Sequence, residues 1–336
     1  MTDAIARRFR RFAEREARGH SPLYEALANA VAADDALLAF LAALPAAKQQ
    51  PNLLFAAFRL VCGTPAGWPD FRARFPARSE AIRAAMLARR TQTNEPARCA
   101  VLLPVLARLP GPLALIEAGA SAGLCLLPDR YGYAYAGHAP FGPEPRFPCR
   151  ASAATPVPAS VPEIVWRAGL DLNPLDVWNE DHMAWLRVLV WPGQSDRAHR
   201  LESAIAHART GPPRVVAGDL LTALPALAAE APRDATLVVF HTAVLAYVDP
   251  EARARFVETV RGLDAVWISN EAPGVFPDIA ARAAHAGPAH AGPARPGPAR
   301  PGPARPGPAG AFLLSVNGEP AAWTDPHGAW IEWLAP

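Results

Sequence analysis

Lysine is almost absent from this sequence of 336 residues: Lys48 is the only one, and the other basic residues are arginines. Lys and Arg together number 33 against 31 Asp and Glu, so no excess of positive charge indicates nucleic-acid binding. No run of about 18 uncharged apolar residues is present, which argues against a transmembrane helix. The charged segment 1–16 lacks the apolar core of a secretion signal, and we therefore expect a cytoplasmic protein.

Cysteine is scarce as well: the four residues form no Cys-x-x-Cys pair and have no histidine at zinc-site spacing. They are Cys62, Cys99, Cys125 and Cys149. We therefore predict no metal site, because zinc and iron–sulfur sites need closely spaced thiolate or imidazole ligands.

Proline, by contrast, is abundant. The 38 prolines are about twice the usual share of roughly 5%, which argues against a coiled coil or a helical bundle as the whole chain. Many of them lie in a five-residue repeat, GPARP and its variants, at residues 287–311. Collagen requires glycine at every third position, so this period excludes it. With no apolar face to bury, the repeat predicts a disordered or extended surface loop over 286–310.

The chain divides into a helical part and an α/β part. Residues 1–110 predict a helical cap domain, in which Ser21 is the N-cap of a helix that begins at Pro22. Residues 111–336 predict an α/β domain with a mostly parallel sheet, because short apolar runs alternate with helical segments. The predicted strands are 113–117, 164–168, 214–217, 236–241 and 265–269, and the predicted helices are 180–190, 195–209 and 250–262.

Two further segments stand outside this alternation. Residues 131–162 are rich in Gly and Pro and predict an insertion that suits a hairpin. At the end of the chain, residues 311–316 and 328–334 predict a terminal antiparallel pair around Asn317-Gly318.

The most informative segment is 113–124, in which an apolar strand ends near the acid Glu117 and small residues follow. Gly119, Ser121 and Gly123 would let the backbone approach a ligand closely, and a helix after the turn would offer free N–H groups. A carboxylate at the strand end suits an ammonium or hydroxyl group, and the Gly-Lys-Ser/Thr of a phosphate-binding loop is absent. The alternative is a tight strand-to-helix turn that binds no ligand.

This loop resembles the first motif of class I S-adenosylmethionine-dependent methyltransferases, acid-x-Gly-x-x-x-Gly, with Ser121 in place of the usual middle glycine. The whole chain resembles a bacterial family, the domain-of-unknown-function family 2332. The matching segments are 21–24 (SPLY), 92–95 (QTNE), 117–124 (EAGASAGL), 129–131 (DRY), 167–171 (RAGLD), 191–192 (WP) with Arg197, and 326–328 (PHG). The resemblance implies a methyltransferase-like, Rossmann-like sheet preceded by the helical cap.

The resemblance also implies a site for S-adenosylmethionine as cofactor. Glu117 and the three small residues of the loop would hold its methionine part. Asp171 would end the second strand and bind the ribose hydroxyls, with Asp176 as a rival. Asp171 lies 48 residues after Gly123, against about 20 in compact dinucleotide folds, and the insertion accounts for the difference.

Three residues at the ends of later strands complete the implied site. Asp219 follows the third strand and would lie near the adenine, or would instead cap the next helix. In methyltransferase-like folds the end of the fourth strand faces the reacting methyl group. His241 would there remove a proton from the substrate, or it is a hydrogen-bonded core histidine. Glu271 ends the fifth strand and is a further catalytic candidate, because strand ends face the ligand crevice in open α/β sheets.

The remaining candidates lie in two polar segments. Gln92, Asn94 and Glu95 precede an apolar helix. We expect Gln92 and Asn94 to bind substrate and Glu95 to act as a catalytic base, or Thr93 or Asn94 only caps that helix. Arg130 and Tyr131 are also predicted to bind substrate, since Arg130 can pair with a carboxylate in bidentate fashion. The alternative is a salt bridge from Arg130 to Glu95 or to the preceding aspartate.

Three functional hypotheses follow. The leading one is an S-adenosylmethionine-dependent, methyltransferase-like protein that acts on a small molecule, in which the chain aligns donor and acceptor and removes a proton. The second keeps the fold without the methyl donor: relatives in the family occur in pathways for strained nitrogen rings, which implies intramolecular displacement by an amine, with Glu95 or His241 as base. The third is a non-catalytic scaffold subunit with a protein partner.

Overall fold

The computed structural model describes residues 2–286 and 307–334, so most of the predicted loop at 286–310 lies outside the described residues. The chain forms two compact units. The first comprises Met1–Thr93 and Trp178–Leu201, and the second comprises Asn94–Val177 and Glu202–Pro336. The helical unit therefore ends at Thr93, earlier than the boundary predicted near residue 110, and it includes a segment from within the predicted α/β region.

The described residues contain eleven α-helices. They are α1 (Thr2–Phe12), α2 (Pro22–Val31), α3 (Asp35–Ala42), α4 (Pro51–Cys62), α5 (Trp68–Ala88), α6 (Cys99–Leu106), α7 (Glu180–Leu189), α8 (Ser195–Arg209), α9 (Leu224–Ala228), α10 (Pro250–Arg261) and α11 (Pro277–Ala286). The predicted helices at 180–190, 195–209 and 250–262 are confirmed. Ser21 caps α2 as predicted, because its hydroxyl accepts from the N–H of Tyr24. Among the described residues, no helix has both the length and the apolar character needed to cross a bilayer.

An aromatic core holds the helical unit together. The ring of Phe55 on α4 is buried, and the rings of Tyr24 and Phe71 lie 4.9 and 6.2 Å from it. Arg59 on the same helix donates from Nη1 to the carbonyl oxygen of Val188 at 2.8 Å. This bond ties α7 to α4, which explains why a segment distant in sequence belongs to the helical unit.

Ten strands form one sheet in the described part of the second unit. They are β1 (Leu113–Ala118), β2 (Gly132–Tyr135), β3 (Arg146–Ala151), β4 (Ile164–Asp171), β5 (Arg214–Ala217), β6 (Thr236–Thr242), β7 (Val266–Glu271), β8 (Phe312–Val316), β9 (Glu319–Thr324) and β10 (Trp330–Trp333). Their spatial order is β2-β3-β10-β9-β8-β7-β6-β1-β4-β5. All five predicted strands are present and pair parallel with one another, so the prediction of a mostly parallel α/β sheet is confirmed.

The order of these five strands creates a crevice. Numbered along the chain, they are arranged 3-2-1-4-5, which is the order of doubly wound nucleotide-binding folds. The progression reverses between β1 and β6, and in open sheets of this kind ligands bind at the carboxyl ends of the strands at that switch point. The sheet is therefore Rossmann-like and brings the ends of β1, β4 and β6 together.

The described connection from β1 to β4 contains no α-helix. Two 3₁₀ turns, Leu124–Leu126 and Pro128–Arg130, follow β1, and the chain then forms β2 and β3 at the opposite edge of the sheet. The predicted insertion is thus present, but β2 and β3 pair parallel, so it is not a hairpin. Helix α6 is buried along its whole length and contacts β3, which explains why it belongs to this unit.

The last three strands form an antiparallel meander. β8 and β9 pair across Asn317-Gly318, where φ is +52° and +84°, as a tight hairpin turn requires. The sequence predicted that 311–316 would pair with 328–334. Instead β9 lies between them, and its Pro320, which has no N–H to donate, sits beside a shift in the pairing register.

Candidate functional site

The loop of residues 119–123, here called the glycine loop, has backbone angles that favour small residues. The φ angles of Gly119, Ser121 and Gly123 are +76°, +53° and +72°, and such values are uncommon for any residue with a Cβ atom. A Cβ atom added to Gly119 would lie 2.5 Å from the side chain of Val244, and one added to Gly123 would lie 2.7 Å from that of Pro213. Within the chain the loop therefore packs closely against these two side chains, and its close approach to a ligand stays a prediction.

The N–H groups of the glycine loop are largely used inside the protein. Those of Gly119 and Ala120 donate to the carbonyl oxygen of Leu170, at 2.7 and 3.2 Å. The N–H of Leu124 donates to Oδ1 of Asn94 at 2.9 Å. Two short 3₁₀ turns stand in place of the predicted helix, so the loop does not begin a helix with a row of free N–H donors.

Asp171, at the end of β4, binds the glycine loop directly. Its Oδ2 accepts from the N–H of Ser121 at 2.8 Å, and its Oδ1 accepts from the N–H of Asn173 at 2.8 Å. Two predicted cofactor residues thus meet across neighbouring strands. Asp219, beyond the end of β5, is exposed and accepts from the N–H of Leu221 at 2.8 Å within its own turn.

Glu117 is a buried acid on the central strand. Its side chain belongs to a residue only 2% exposed, and its Oε2 has no hydrogen-bond partner within the protein. Burial raises the pKa of this carboxyl well above its ordinary value, and the adjacent Cys125 thiol raises it further, whereas the Arg98 guanidinium acts in the opposite direction. The environment therefore favours the uncharged form of Glu117.

His241 and Glu271 form a buried pair with Trp267. Nδ1 of His241 lies 2.7 Å from Oε1 of Glu271, and Nε2 accepts from the indole N–H of Trp267 at 3.0 Å. An indole N–H can only donate, so the ring proton of His241 lies on Nδ1 and is donated to the carboxylate. Both ring nitrogens are engaged and the residue is fully buried, so His241 holds Glu271 in place.

Glu271 in turn anchors the segment that follows β6. Its Oε1 also accepts from the N–H groups of Val244 and Leu245, at 2.9 and 3.0 Å. The preceding Ala243 has a φ of +58°, so this anchor holds a backbone conformation that is unfavourable for alanine. Glu271 and Ser269 also line a cavity of about 10 Å³, which has room for roughly one water molecule.

Arg98 is a further residue of this region that the sequence did not reveal. It is 5% exposed, and its Nη1 donates to the carbonyl oxygen and hydroxyl of Thr242 at 3.2 and 3.3 Å. Its Nε donates to the carbonyl oxygen of Pro326 at 2.8 Å. The sequence feature that could have identified it is its position as the one charged residue in the apolar segment 96–106.

The polar segment 92–95 is divided between the two units. Gln92 is half-buried in the helical unit, whereas Asn94 and Glu95 are buried in the second unit. Asn94 braces the residue after the glycine loop, and Glu95 accepts from the N–H of Ala97 at 3.4 Å as the cap of a short 3₁₀ turn. A cap is thus present, but Glu95 makes it rather than Thr93 or Asn94, and it caps the 3₁₀ turn that precedes α6.

Arg130 and Tyr131, both predicted to bind substrate, make internal contacts. Nη1 of Arg130 donates to the carbonyl oxygen of Gly211 at 3.0 Å, and fully buried Tyr131 donates its hydroxyl to a backbone carbonyl at 2.9 Å. The alternative was a salt bridge from Arg130 to Asp129. Asp129 instead forms a bidentate salt bridge with Arg167, at 2.7 and 2.8 Å. These contacts brace the segment after β1.

The candidate site therefore lies at the carboxyl ends of the central strands. We define it as Glu95, Arg98, Glu117, Asp171, His241 and Glu271 together with the glycine loop. Between residues 2–286 and 307–334, no three His, Cys, Asp or Glu side chains are grouped so that they could hold a metal ion, and the four cysteines are free thiols.

Fold and site together define an α/β protein with a Rossmann-like sheet and acids at its ligand-facing edge. A family model described as "Uncharacterized protein conserved in bacteria (DUF2332)" matches residues 6–333, and the chain belongs to this family. The family predicted from the sequence motifs is thus confirmed. No curated protein and no solved structure matches the chain.

Proposed function

We propose that this protein is an S-adenosylmethionine-dependent, methyltransferase-like protein that acts on a small molecule. One observation carries the proposal: acids lie at the carboxyl ends of the neighbouring strands β1 and β4, and the second acid, Asp171, is fixed to the glycine loop through the N–H of Ser121. This arrangement stands beside the switch point, where ligands of doubly wound sheets bind.

The residues of the chain fit the groups that this cofactor carries. Glu117 has a buried carboxyl oxygen without a partner, which would accept from the ammonium of the methionine part. An ammonium there would also offset the burial that raises the pKa of Glu117. A carboxylate has about four acceptor positions, so Asp171 can bind ribose hydroxyls in addition to its backbone donors. When bound, S-adenosylmethionine supplies an electrophilic methyl group.

The catalytic candidates divide into two roles in this proposal. The carboxylate of Glu95 accepts the substrate proton. The residue lies beside the glycine loop, because the Cys125 thiol donates to its backbone carbonyl oxygen at 3.3 Å. His241 and Glu271 are positioning residues, because they bind each other and fix the segment of Val244 next to the loop.

Isothermal titration calorimetry with S-adenosylmethionine and S-adenosylhomocysteine tests the proposal. We expect the full chain to bind both, and Asp171→Asn to weaken binding about tenfold or more, since a hydrogen bond to a charged group contributes roughly 1.5–3 kcal/mol. Asp234→Asn is the matched control, because this exposed acid precedes the amino end of β6, whereas the candidate site lies at the carboxyl ends of the strands. Absence of binding at millimolar ligand, with a normal thermal transition, would reject the proposal.

A second function is favoured by the internal use of the glycine loop N–H groups and by the 3₁₀ turn that follows. These features leave fewer donors for a cofactor, and they suit a site without a methyl donor. The reaction would be ring closure by intramolecular displacement: the amine nitrogen forms a bond to carbon, the leaving group departs with its electron pair, and Glu95 takes the ammonium proton.

A haloalkylamine, whose amine can displace the carbon-bound halide to close a small ring, separates the two functions. In the ring-closure reaction, mass spectrometry would detect accelerated loss of hydrogen halide without S-adenosylmethionine. Glu95→Gln would slow this reaction, and Asp234→Asn, at an exposed position, would leave it unchanged. Equal rates with and without the protein would reject ring closure for this substrate class.

A further inference from the structure

A cavity of about 210 Å³ lies beside the glycine loop in the second unit. Two sets of residues, here called its walls, line it: the segment 174–177 that follows β4, and Pro212, Pro213 and Val215 at the start of β5. Ala122 of the loop also lines it. The side chain of Arg214 is not part of the lining, as expected for the alternation of a strand. This cavity borders the beginning of β5, and Asp219, which follows the end of that strand, is not among its lining residues.

Both walls of the cavity are held by hydrogen bonds that the proposed function does not use. The N–H of Leu175 donates to the carbonyl oxygen of Ser121 at 3.0 Å, and Nε of Arg209 donates to the carbonyl oxygen of Val177 at 2.8 Å. Next to the second wall, Nη1 of Arg130 donates to the carbonyl oxygen of Gly211, the residue before Pro212, at 3.0 Å. The walls are therefore fixed in advance, which lowers the entropy lost on binding.

The size and lining of the cavity limit its occupant. A cavity of about 150 Å³ in another protein admits benzene, so 210 Å³ accommodates a substituted ring or a small fused ring. Most lining side chains are aliphatic or proline, and Asp176 is the one acid among them. A carboxylate offers about four acceptor positions, so Asp176 can accept from a ligand N–H besides its contacts within the protein.

We propose that this cavity binds a flat nitrogen-containing ring, with the ring between the proline and aliphatic walls and an amine or ammonium group on Asp176. The site goes beyond the proposed function, because it needs neither a methyl donor nor the catalytic residues. A free cyclic amine and the base of a nucleoside share this chemistry, and the experiment distinguishes between them.

Ligand-observed NMR and calorimetry on the full chain test this site with three probes: tryptamine, adenosine and indole. Tryptamine is expected to bind, and Asp176→Asn should weaken it about tenfold while leaving the neutral control indole unchanged. Val215→Phe, which fills the cavity, should abolish binding of all three. If adenosine binds with the same sensitivity to both variants, the ring comes from a nucleoside; if only tryptamine does, it comes from a free amine.

Two results would overturn the proposal: no binding of any probe at millimolar concentration, or binding that neither variant changes. Asp176 is exposed, so we expect Asp176→Asn to fold, which keeps the test valid if Val215→Phe does not fold. Asp234→Asn is again the control. Tryptamine binding by a chain that does not bind S-adenosylmethionine would mean that the proposed function fails and this site stands, and the reverse result would mean that only this site fails.

Discussion

His241 and Glu271 end neighbouring parallel strands, and the imidazole Nδ1 of the first lies 2.7 Å from the carboxylate Oε1 of the second. The indole of Trp267 completes the set by donating to the other ring nitrogen. Two residues predicted as separate catalytic groups are therefore one buried hydrogen-bonded unit. Its effect on the site passes through the segment of Val244, which Glu271 holds against Gly119.

Replacing the imidazole tests this unit. His241→Phe keeps an aromatic ring but leaves the indole N–H of Trp267 without an acceptor and Glu271 without one of its donors. We expect the free energy of unfolding to fall by about 2–4 kcal/mol, because each buried polar group left unpaired costs roughly 1–3 kcal/mol. Chemical denaturation measures the change, and His138→Ala, at an exposed position, should stay within about 0.5 kcal/mol of wild type. Equal stability of all three proteins would contradict the assignment.

Glu117 predicts an unusual pH dependence of stability. Burial raises its pKa in the folded protein, so between its ordinary pKa and the raised value the folded state keeps a proton that the unfolded chain releases. The contribution of Glu117 is therefore fully present below the ordinary pKa and is lost as the pH rises through the raised one.

Glu117→Gln removes this titration while preserving the shape of the side chain. Its stability relative to wild type should increase from pH 5 to pH 8, as measured by urea denaturation at each pH. Glu14→Gln, at an exposed position, should show no such trend. A difference between Glu117→Gln and wild type that does not vary with pH would show that Glu117 is not held uncharged.

The parallel strands were predictable because their limits are set by local chemistry. β5 begins and ends at the predicted residues: Pro212 and Pro213 precede it and Gly218 follows it, so breakers bound a short apolar run. β1 extends only one residue beyond its prediction, to Ala118. The N-cap at Ser21 was predictable for the same reason, because its hydroxyl accepts a hydrogen bond from the N–H of Tyr24, only three residues later.

The contacts of the site depend on residues far apart in the sequence. Arg98 is 144 residues from Thr242 and 228 residues from Pro326, so only the completed sheet brings these groups together. The missing helix after the glycine loop has a more local cause. Pro128 disfavours the helical backbone at the preceding residue, Leu127. The 3₁₀ turn Leu124–Leu126 therefore ends there and does not continue as an α-helix.

Positive φ angles at two non-glycine residues beside the switch point predict a stability gain on substitution. Ser121 and Ala243 have φ angles of +53° and +58°, where a Cβ atom costs about 1 kcal/mol and glycine has no such penalty. We expect Ala243→Gly to raise the free energy of unfolding by roughly 0.5–1 kcal/mol. Ala272→Gly, at an ordinary φ of −59°, should lower it by a similar amount. Opposite signs in thermal denaturation confirm the strain, and equal losses would refute it.

Gly328 gives a physical reason for the motif at 326–328. Its φ is +83°, and a Cβ atom there would lie 2.0 Å from the carbonyl oxygen of Ala97, so the turn can pack against the residue before Arg98 only as glycine. Gly310 has a similar φ of +75° with nothing near its Cβ position, which makes it a matched control. Both alanine variants carry the backbone cost of about 1 kcal/mol, and Gly328→Ala should lose roughly 1–3 kcal/mol more through the clash. The carbonyl oxygen of Pro326 accepts from Arg98, and the charge of Arg98 favours the ionised form of Glu117. The same variant should therefore also weaken binding of S-adenosylmethionine in calorimetry, whereas Gly310→Ala should not. Equal losses of stability in the two variants would mean that the turn is free to move away from Ala97 and that Arg98 is positioned without it.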